Sequence, residues 1–343
     1  MSAAPGCVQT VLGSIAPELL GATLMHEHVL CDLTVPELSA QQLPEVEIRL
    51  DNVFEIRHHW CRHYGNHVLD DRDLAVDELL RYRTAGGSAL VELTCEGIAP
   101  DARGLADIAR RTGLHIVAGC GPYVEAHLTG EQRARSIDQV SEAMVRAFSD
   151  GIDDSGVRAG ILGEIGLSTP CTAVERRSLV AAALAQSETG AAINVHPPRT
   201  LQGTLDAIEV LADAGADLAR VVISHVDRTL FSVGDMQRVA DTGVVLEFDF
   251  FGIESAYYPF ADVDLPNDGQ RVRLIAELVR LGYVDQIVVS QDICTRTRLR
   301  RYGGHGYAHL LENAVPLMGR RGLEQDDIDR ILVRTPRRLL TLK

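Results

Sequence analysis

Eight short apolar runs, each followed by a longer stretch with helical spacing, dominate this 343-residue chain and limit what it can fold into. The runs fall at 22–28, 88–94, 115–120, 159–165, 191–196, 221–226, 244–250 and 286–292. The helical stretches fall at 70–86, 105–111, 132–148, 174–189, 200–214, 233–241, 270–281 and 309–318. Several end in a glycine where a left-handed closing residue is expected, as in Thr84-Ala-Gly-Gly, Arg111-Thr-Gly and Asp213-Ala-Gly. Apolar runs with few polar interruptions suit strands of a parallel sheet covered by helices. Strict β-then-α repetition leaves a doubly wound sheet or a barrel. The count of eight, the length and the lack of Gly-x-Gly-x-x-Gly after any run favour a (β/α)8 TIM barrel. One domain is expected, with residues 1–21 forming a short N-terminal hairpin cap that turns near Gly13-Ser14, and the barrel spanning 22–343.

Composition narrows the partners. With 48 acidic against 33 basic side chains the net charge is −15, which argues against nucleic acid or an anionic membrane as the main partner. No apolar run is long enough to span a bilayer. The opening Met-Ser-Ala-Ala-Pro-Gly-Cys has neither the basic nor the apolar region of a signal peptide. Seven dispersed cysteines without a Cys-x-x-Cys suggest reduced thiols in a cytoplasmic protein.

The chemistry lies where the apolar runs end. In Leu24-Met25-His26-Glu27-His28, alternation along a strand points His26 and His28 at one object while Met25 and Glu27 point away. Glu164 ends the fourth run, His196 the fifth, His225 the sixth and Asp292 the eighth. Strand C-terminal ends surround one mouth of a barrel, so these six side chains converge although distant in sequence. Four imidazoles and two carboxylates suit zinc, manganese or cobalt. Residues 29–69 and 251–269 are longer than simple connections and are expected to help form the site. Within the first, His58, His59, His63 and His67 beside Trp60 and Tyr64 read as a solvated helix face; Tyr257-Tyr258-Pro259 marks the second. His115 opens a strand, at the end of the barrel away from the chemistry.

The same residues carry a resemblance. Met25-His-Glu-His28, Ala159-Gly-Ile-Leu-Gly-Glu164-Ile-Gly, Ile223-Ser-His225-Val-Asp-Arg-Thr, Leu246-Glu-Phe-Asp-Phe-Phe-Gly and Arg301-Tyr-Gly-Gly-His-Gly-Tyr307 are similar to segments of the phosphotriesterase-related proteins, within the binuclear amidohydrolase superfamily. The likeness runs over nearly the whole chain. It implies a homodimer and two divalent cations, zinc first among the candidates. His26, His28 and Asp292 would hold the more buried ion, His196 and His225 the more exposed one, with Glu164 bridging both. Phosphotriesterases place a carboxylated lysine at the bridge, in a segment reading Ala-Gly-Ile-Ile-Lys. Ungapped comparison sets Gly163 opposite that lysine, so a bulge or shift must turn Glu164 inward.

The expected reaction is attack of a metal-bridging hydroxide on a carbonyl, with Asp292 taking the proton and passing it to the leaving group. Arg228, Arg296 and Arg298 stand past strand ends, where they either bind a substrate carboxylate, sulfonate or phosphate or pair with Glu247, Asp249 or Glu254. Tyr123, His305 and Tyr307 are further candidates for substrate contact. Arginines at the mouth of an acidic protein favour an anionic small molecule, as an N-acyl amide, lactone or ester. A phosphotriester substrate and a barrel that binds a small ligand without turnover are the alternatives.

Overall fold

The computed structural model describes residues 5–34, 45–59, 63–254, 258 and 260–343; Trp60, Tyr257 and Pro259 lie outside them. Eight parallel strands run in sequential order around a (β/α)8 barrel: β1 Thr23–Glu27, β2 Ala89–Glu92, β3 His115–Cys120, β4 Ile161–Gly166, β5 Ile193–His196, β6 Val221–Ile223, β7 Val245–Phe248 and β8 Ile287–Val289. The helices that follow them are α1 Arg72–Thr84, α2 Ala102–Thr112, α3 Ile137–Ser149, α4 Ala173–Thr189, α5 Leu201–Asp213, α6 Val233–Ala240, α7 Asp268–Arg280 and α8 Val315–Arg320. Side chains that dock on the helices alternate with those filling the barrel, where Val91, Val117, Ile161, Val222, Val245 and Val288 pack together. The ring closes past the ends of β8 and β1. There His26 O accepts from Asp292 N (3.1 Å) and His28 N donates to Ile293 O (3.2 Å).

Local chemistry sets the element boundaries. Ser136, Thr172 and Asn267 open α3, α4 and α7 with reciprocal bonds to Gln139, Glu175 and Gln270. The cap at Ser136 divides the expected helix 132–148 into Gly130–Ala134 and α3. Gly113 and Gly190, at φ 68° and 67°, close α2 and α4. Among the described residues no helix is long and apolar enough to cross a membrane.

Two expectations at the other end of the barrel need correction. The N-terminal hairpin turns at Val11-Leu12, and Gly13 and Ser14 belong to its second strand, paired with Thr10 and Gln9. Residues 325–340, outside the helical stretches expected from sequence, form Gln325–Asp329, a π turn Arg330–Arg334 and Thr335–Leu340. Leu339 and Leu340 join Val8 and Leu20 to plug the barrel opposite the strand C-terminal ends. Arg220, 4% exposed, ties this plug down: its guanidinium donates to the carbonyl oxygens of Gly190, Arg338, Leu339 and Thr341 at 2.6–3.1 Å. Replacing Arg220 with Met removes its hydrogen bonds to those carbonyl oxygens and should lower unfolding free energy by about 3 kcal/mol in a denaturant titration. A loss under about 1 kcal/mol would mean that apolar packing alone holds the plug.

Candidate metal centre

At the mouth, the six strand-end side chains meet. Glu164 lies at their centre, 1% exposed. Its Oε2 is 2.6 Å from His196 Nδ1, 3.1 Å from His225 Nε2 and 3.7 Å from His26 Nε2, and its Oε1 is 3.7 Å from His28 Nε2. Asp292 Oδ1 completes the ring, 3.5 Å from His28 Nε2 and 3.8 Å from His26 Nε2. Burial alone would raise the Glu164 carboxyl, but His196 and His26 outweigh it and hold it well below the usual carboxylate range.

Irregular backbone aims these groups. The β4–β5 register shifts between Leu162 and Ile165, at the cis Gly163–Glu164 peptide. Ile161 therefore faces the barrel interior and Ile165 the helices, with Glu164 turned inward between them. A second shift, between Leu24 and Glu27 of β1, has a consequence that simple alternation missed: Met25 packs inside the barrel instead of pointing away from it, and His26 still reaches the centre. His225 and Asp292 occupy the left-handed region, at φ 53° and 46°. That conformation is costly for residues other than glycine and is held by bonds from His225 N to Asp249 Oδ2 (2.9 Å) and from Asp292 N to His26 O (3.1 Å).

Three of the imidazoles have their protons assigned by their partners. Thr94 donates to Glu92 Oε1 at 2.6 Å, so its hydroxyl accepts from His28 Nδ1 at 3.1 Å. His225 Nδ1 faces only the Asp249 carboxylate, at 2.9 Å. His26 Nδ1 faces Ser224 Oγ at 3.1 Å and the carboxylates of Glu247 and Asp249 at 3.3 Å. In each case Nδ1 donates, and the lone pair of Nε2 is turned toward the centre. His26 Nε2 is buried there without a hydrogen-bond partner. Lone pairs converging on carboxylate oxygens, with carboxylates behind the rings, are the arrangement that holds a divalent cation. His26, His28 and Glu164 form one possible ligand group, Glu164, His196 and His225 another, and the two share Glu164. The third possible group, His26, His225 and Asp249, brings in a carboxylate that the sequence reading weighed only as a partner for arginines.

Glu27 fixes the remaining edge. It accepts from Ser290 Oγ (2.7 Å), Gln291 N (2.9 Å) and Ile293 N (2.9 Å), bracketing Asp292, and burial pushes its carboxyl up to about 8. Glu92 and Glu27, which have no role in the sequence reasoning, and Glu247, considered there only as a partner for arginines, are all carboxylates inside apolar strands, and that was the available signal.

The residues expected to touch substrate separate. Tyr123 is half-buried with its ring 5.4 Å from that of His196, and Arg228 Nη2 lies 3.0 Å from His196 Nε2. Arg298 and His305 line a cavity of about 500 Å³ with Phe250, Ile253, Tyr258 and Arg57. The Phe250 ring stands 5.5 Å from that of His225, so this cavity borders the centre. His58, read from sequence as part of a solvated face, lines the cavity as well, because helix Val53–His58 folds back over the mouth. Arg296 does not reach the centre: Glu45, Asp70 and the Val68 carbonyl occupy its guanidinium. Tyr307 is 1% exposed and donates its hydroxyl to His28 O at 2.7 Å, so it braces β1 and does not face a ligand. His67 is buried against Leu33 O.

The sequence profile of the Phosphotriesterase family matches residues 6–340. The chain belongs to this family. It is similar to the N-acetyltaurine hydrolase of Tetraodon nigroviridis, 42% identical over all of both chains. Among solved structures it resembles a resiniferatoxin-binding protein from Rhodobacter sphaeroides, with TM-score 0.93 and 33% identity over 99% of this chain and 96% of that one. It also resembles the phosphotriesterase homology protein of Escherichia coli, complexed with phosphate in its active site, with TM-score 0.78 and 28% identity over 94% and 99%. As a phosphotriesterase-family member the chain is a metal-dependent hydrolase.

Partners behind the ligating rings of such a site tune its affinity. Glu27→Gln should therefore weaken zinc binding about 10- to 100-fold in chelator competition, by loosening the 290–293 turn that carries Asp292. Unchanged affinity would remove Glu27 from the support of the site.

Proposed function

We propose that this chain is a binuclear enzyme, loaded with zinc or alternatively manganese or cobalt, that hydrolyses the N-acyl amide of a small anionic amine. The observation that supports this most strongly is the pair of His/Glu groups sharing Glu164. His26, His28 and Asp292 would hold one cation, His196 and His225 the other, and Glu164 both. Bound there, divalent cations supply Lewis acidity and make water a nucleophile near neutral pH.

The chain's own residues carry the proton. Burial alone would raise the Asp292 carboxyl, but His28 and Arg298 hold it well below the usual range, so it is ionised. Asp292 takes the proton of the attacking water and returns it to the leaving nitrogen, which an amide needs more than an activated ester does. Arg298, with Nη1 3.4 Å from Asp292 Oδ2, steadies that carboxylate. Tyr123 and His305 flank the substrate. The sulfonated substrate in the name of the Tetraodon relative supports an anionic amide. We place the enzyme in the cytoplasm as a homodimer.

Ligand binding without turnover is a second reading, favoured by the resiniferatoxin-binding relative. It leaves the complete donor set without a use.

A panel of N-acetyltaurine, a lactone, a carboxylic ester and a phosphotriester, offered to the zinc-loaded protein, distinguishes these readings. N-acetyltaurine should be cleaved fastest, with turnover lost on chelation. Preference for the phosphotriester would transfer the chain to that chemistry, and no turnover of any would favour the binding barrel. Asp292→Asn should lower kcat by about 10²- to 10⁴-fold while most of the metal stays bound. Undiminished turnover would exclude Asp292 from proton transfer.

A further inference from the structure

Among the described residues the buried arginines differ in how their charge is met. Arg271, fully buried, pairs with Asp227 at 2.6 Å and Asp268 at 3.0 Å. Arg220 is surrounded by carbonyl oxygens. Arg228, 2% exposed, has no carboxylate within ion-pair distance among the described residues. Its Nη2 lies 3.0 Å from His196 Nε2 and donates to Pro197 O (3.3 Å), and its Nη1 is buried with no hydrogen-bond partner. Asp227, its chain neighbour, is engaged through Oδ2 with Arg271 and Phe250 N, Asp249 with His225, and Glu247 through Oε2 with Asn194 and Ser224. An uncompensated buried cation with an unused donor is expensive to maintain, and an anion that arrives with the ligand removes the cost.

Its position says which anion. Arg228 reaches one edge of the His196 ring, and Glu164 Oε2 lies 2.6 Å from Nδ1 on the other. One imidazole therefore separates the guanidinium from the centre of the proposed chemistry. The other two arginines considered from sequence are engaged, Arg296 with Glu45 and Asp70, Arg298 with Asp292. We infer that Arg228 receives the terminal sulfonate or carboxylate of the substrate on Nη1 and so sets the preference for anionic over neutral substrates. The inference rests on the proposed reading of the site as an amide hydrolase centre but is tested apart from it.

The probe is 1-propanesulfonate, a sulfonate that cannot be hydrolysed, titrated by ligand-observed NMR into zinc-loaded wild type and Arg228→Met of equal metal content. Loss of a charge-assisted pair predicts binding about 30-fold weaker in the variant, while neutral 1-butanol shows no such difference. In turnover, kcat/KM for N-acetyltaurine relative to neutral N-acetylethanolamine should fall by a similar factor, mainly through KM. Propanesulfonate binding that is absent from wild type or equal in both proteins overturns the inference. So does an equal loss on charged and neutral amides, which would mark Arg228 as a brace for His196 alone. If wild type cleaves neither amide, the hydrolase reading fails while the binding comparison still decides the role of Arg228. Should Arg228→Met not fold, Arg228→Lys replaces it: the charge stays but the planar fork is lost, so propanesulfonate should bind about 5-fold more weakly, and undiminished binding overturns the inference.

Discussion

A carboxylate buried among four imidazoles is the constraint on which the rest of this molecule depends. Glu164 has almost no access to water, and its charge sits amid imidazole nitrogens whose lone pairs converge on it, an arrangement that calls for a cation. To put it there the chain breaks the regular register of β4, and to bring His26 alongside it breaks that of β1. Register errors of this kind would move whole rows of side chains in an ordinary sheet. Here they are absorbed because the interior below the site is closed independently by the hairpin, the C-terminal plug and a layer of valines.

Behind the rings stands a second rank of carboxylates. Glu92 acts through Thr94, while Glu247 and Asp249 face His26 and His225 directly. Each fixes which ring nitrogen carries the proton, and together they make the floor of the barrel strongly negative. Under the proposed reading cations at the centre would neutralise that floor, and Arg228 and Arg298 supply positive charge beside it. An overall charge of −15 is therefore compatible with an anionic substrate, because the local field at the mouth differs from that of the surface.

Much of this was legible before any coordinates. Each of the eight strands lies within its expected run or one residue beyond it, since buried parallel strands need uninterrupted apolar residues and helices need a different period. The six converging side chains were legible because a barrel gathers strand ends. Direction was harder. Period-two alternation placed Met25 outside the barrel because bulges leave no mark in residue type. The run 221–226 was cut short at Ile223 because His225 adopts a left-handed turn. Tyr307 and Arg296 looked like ligand contacts, and only tertiary partners, the His28 carbonyl for one and Glu45 with Asp70 for the other, reveal them as braces. The plug helix was hidden by its division into short segments around Pro336.

The central claim is that the strand-end ring holds two cations joined by Glu164. Anomalous diffraction at the zinc edge, from crystals of the zinc-reconstituted protein, tests it most directly. The account predicts two peaks about 3.5–4 Å apart, one bonded to His26, His28 and Asp292, the other to His196 and His225, with Glu164 touching both. A single peak, or two with Glu164 bonded to neither, would contradict it.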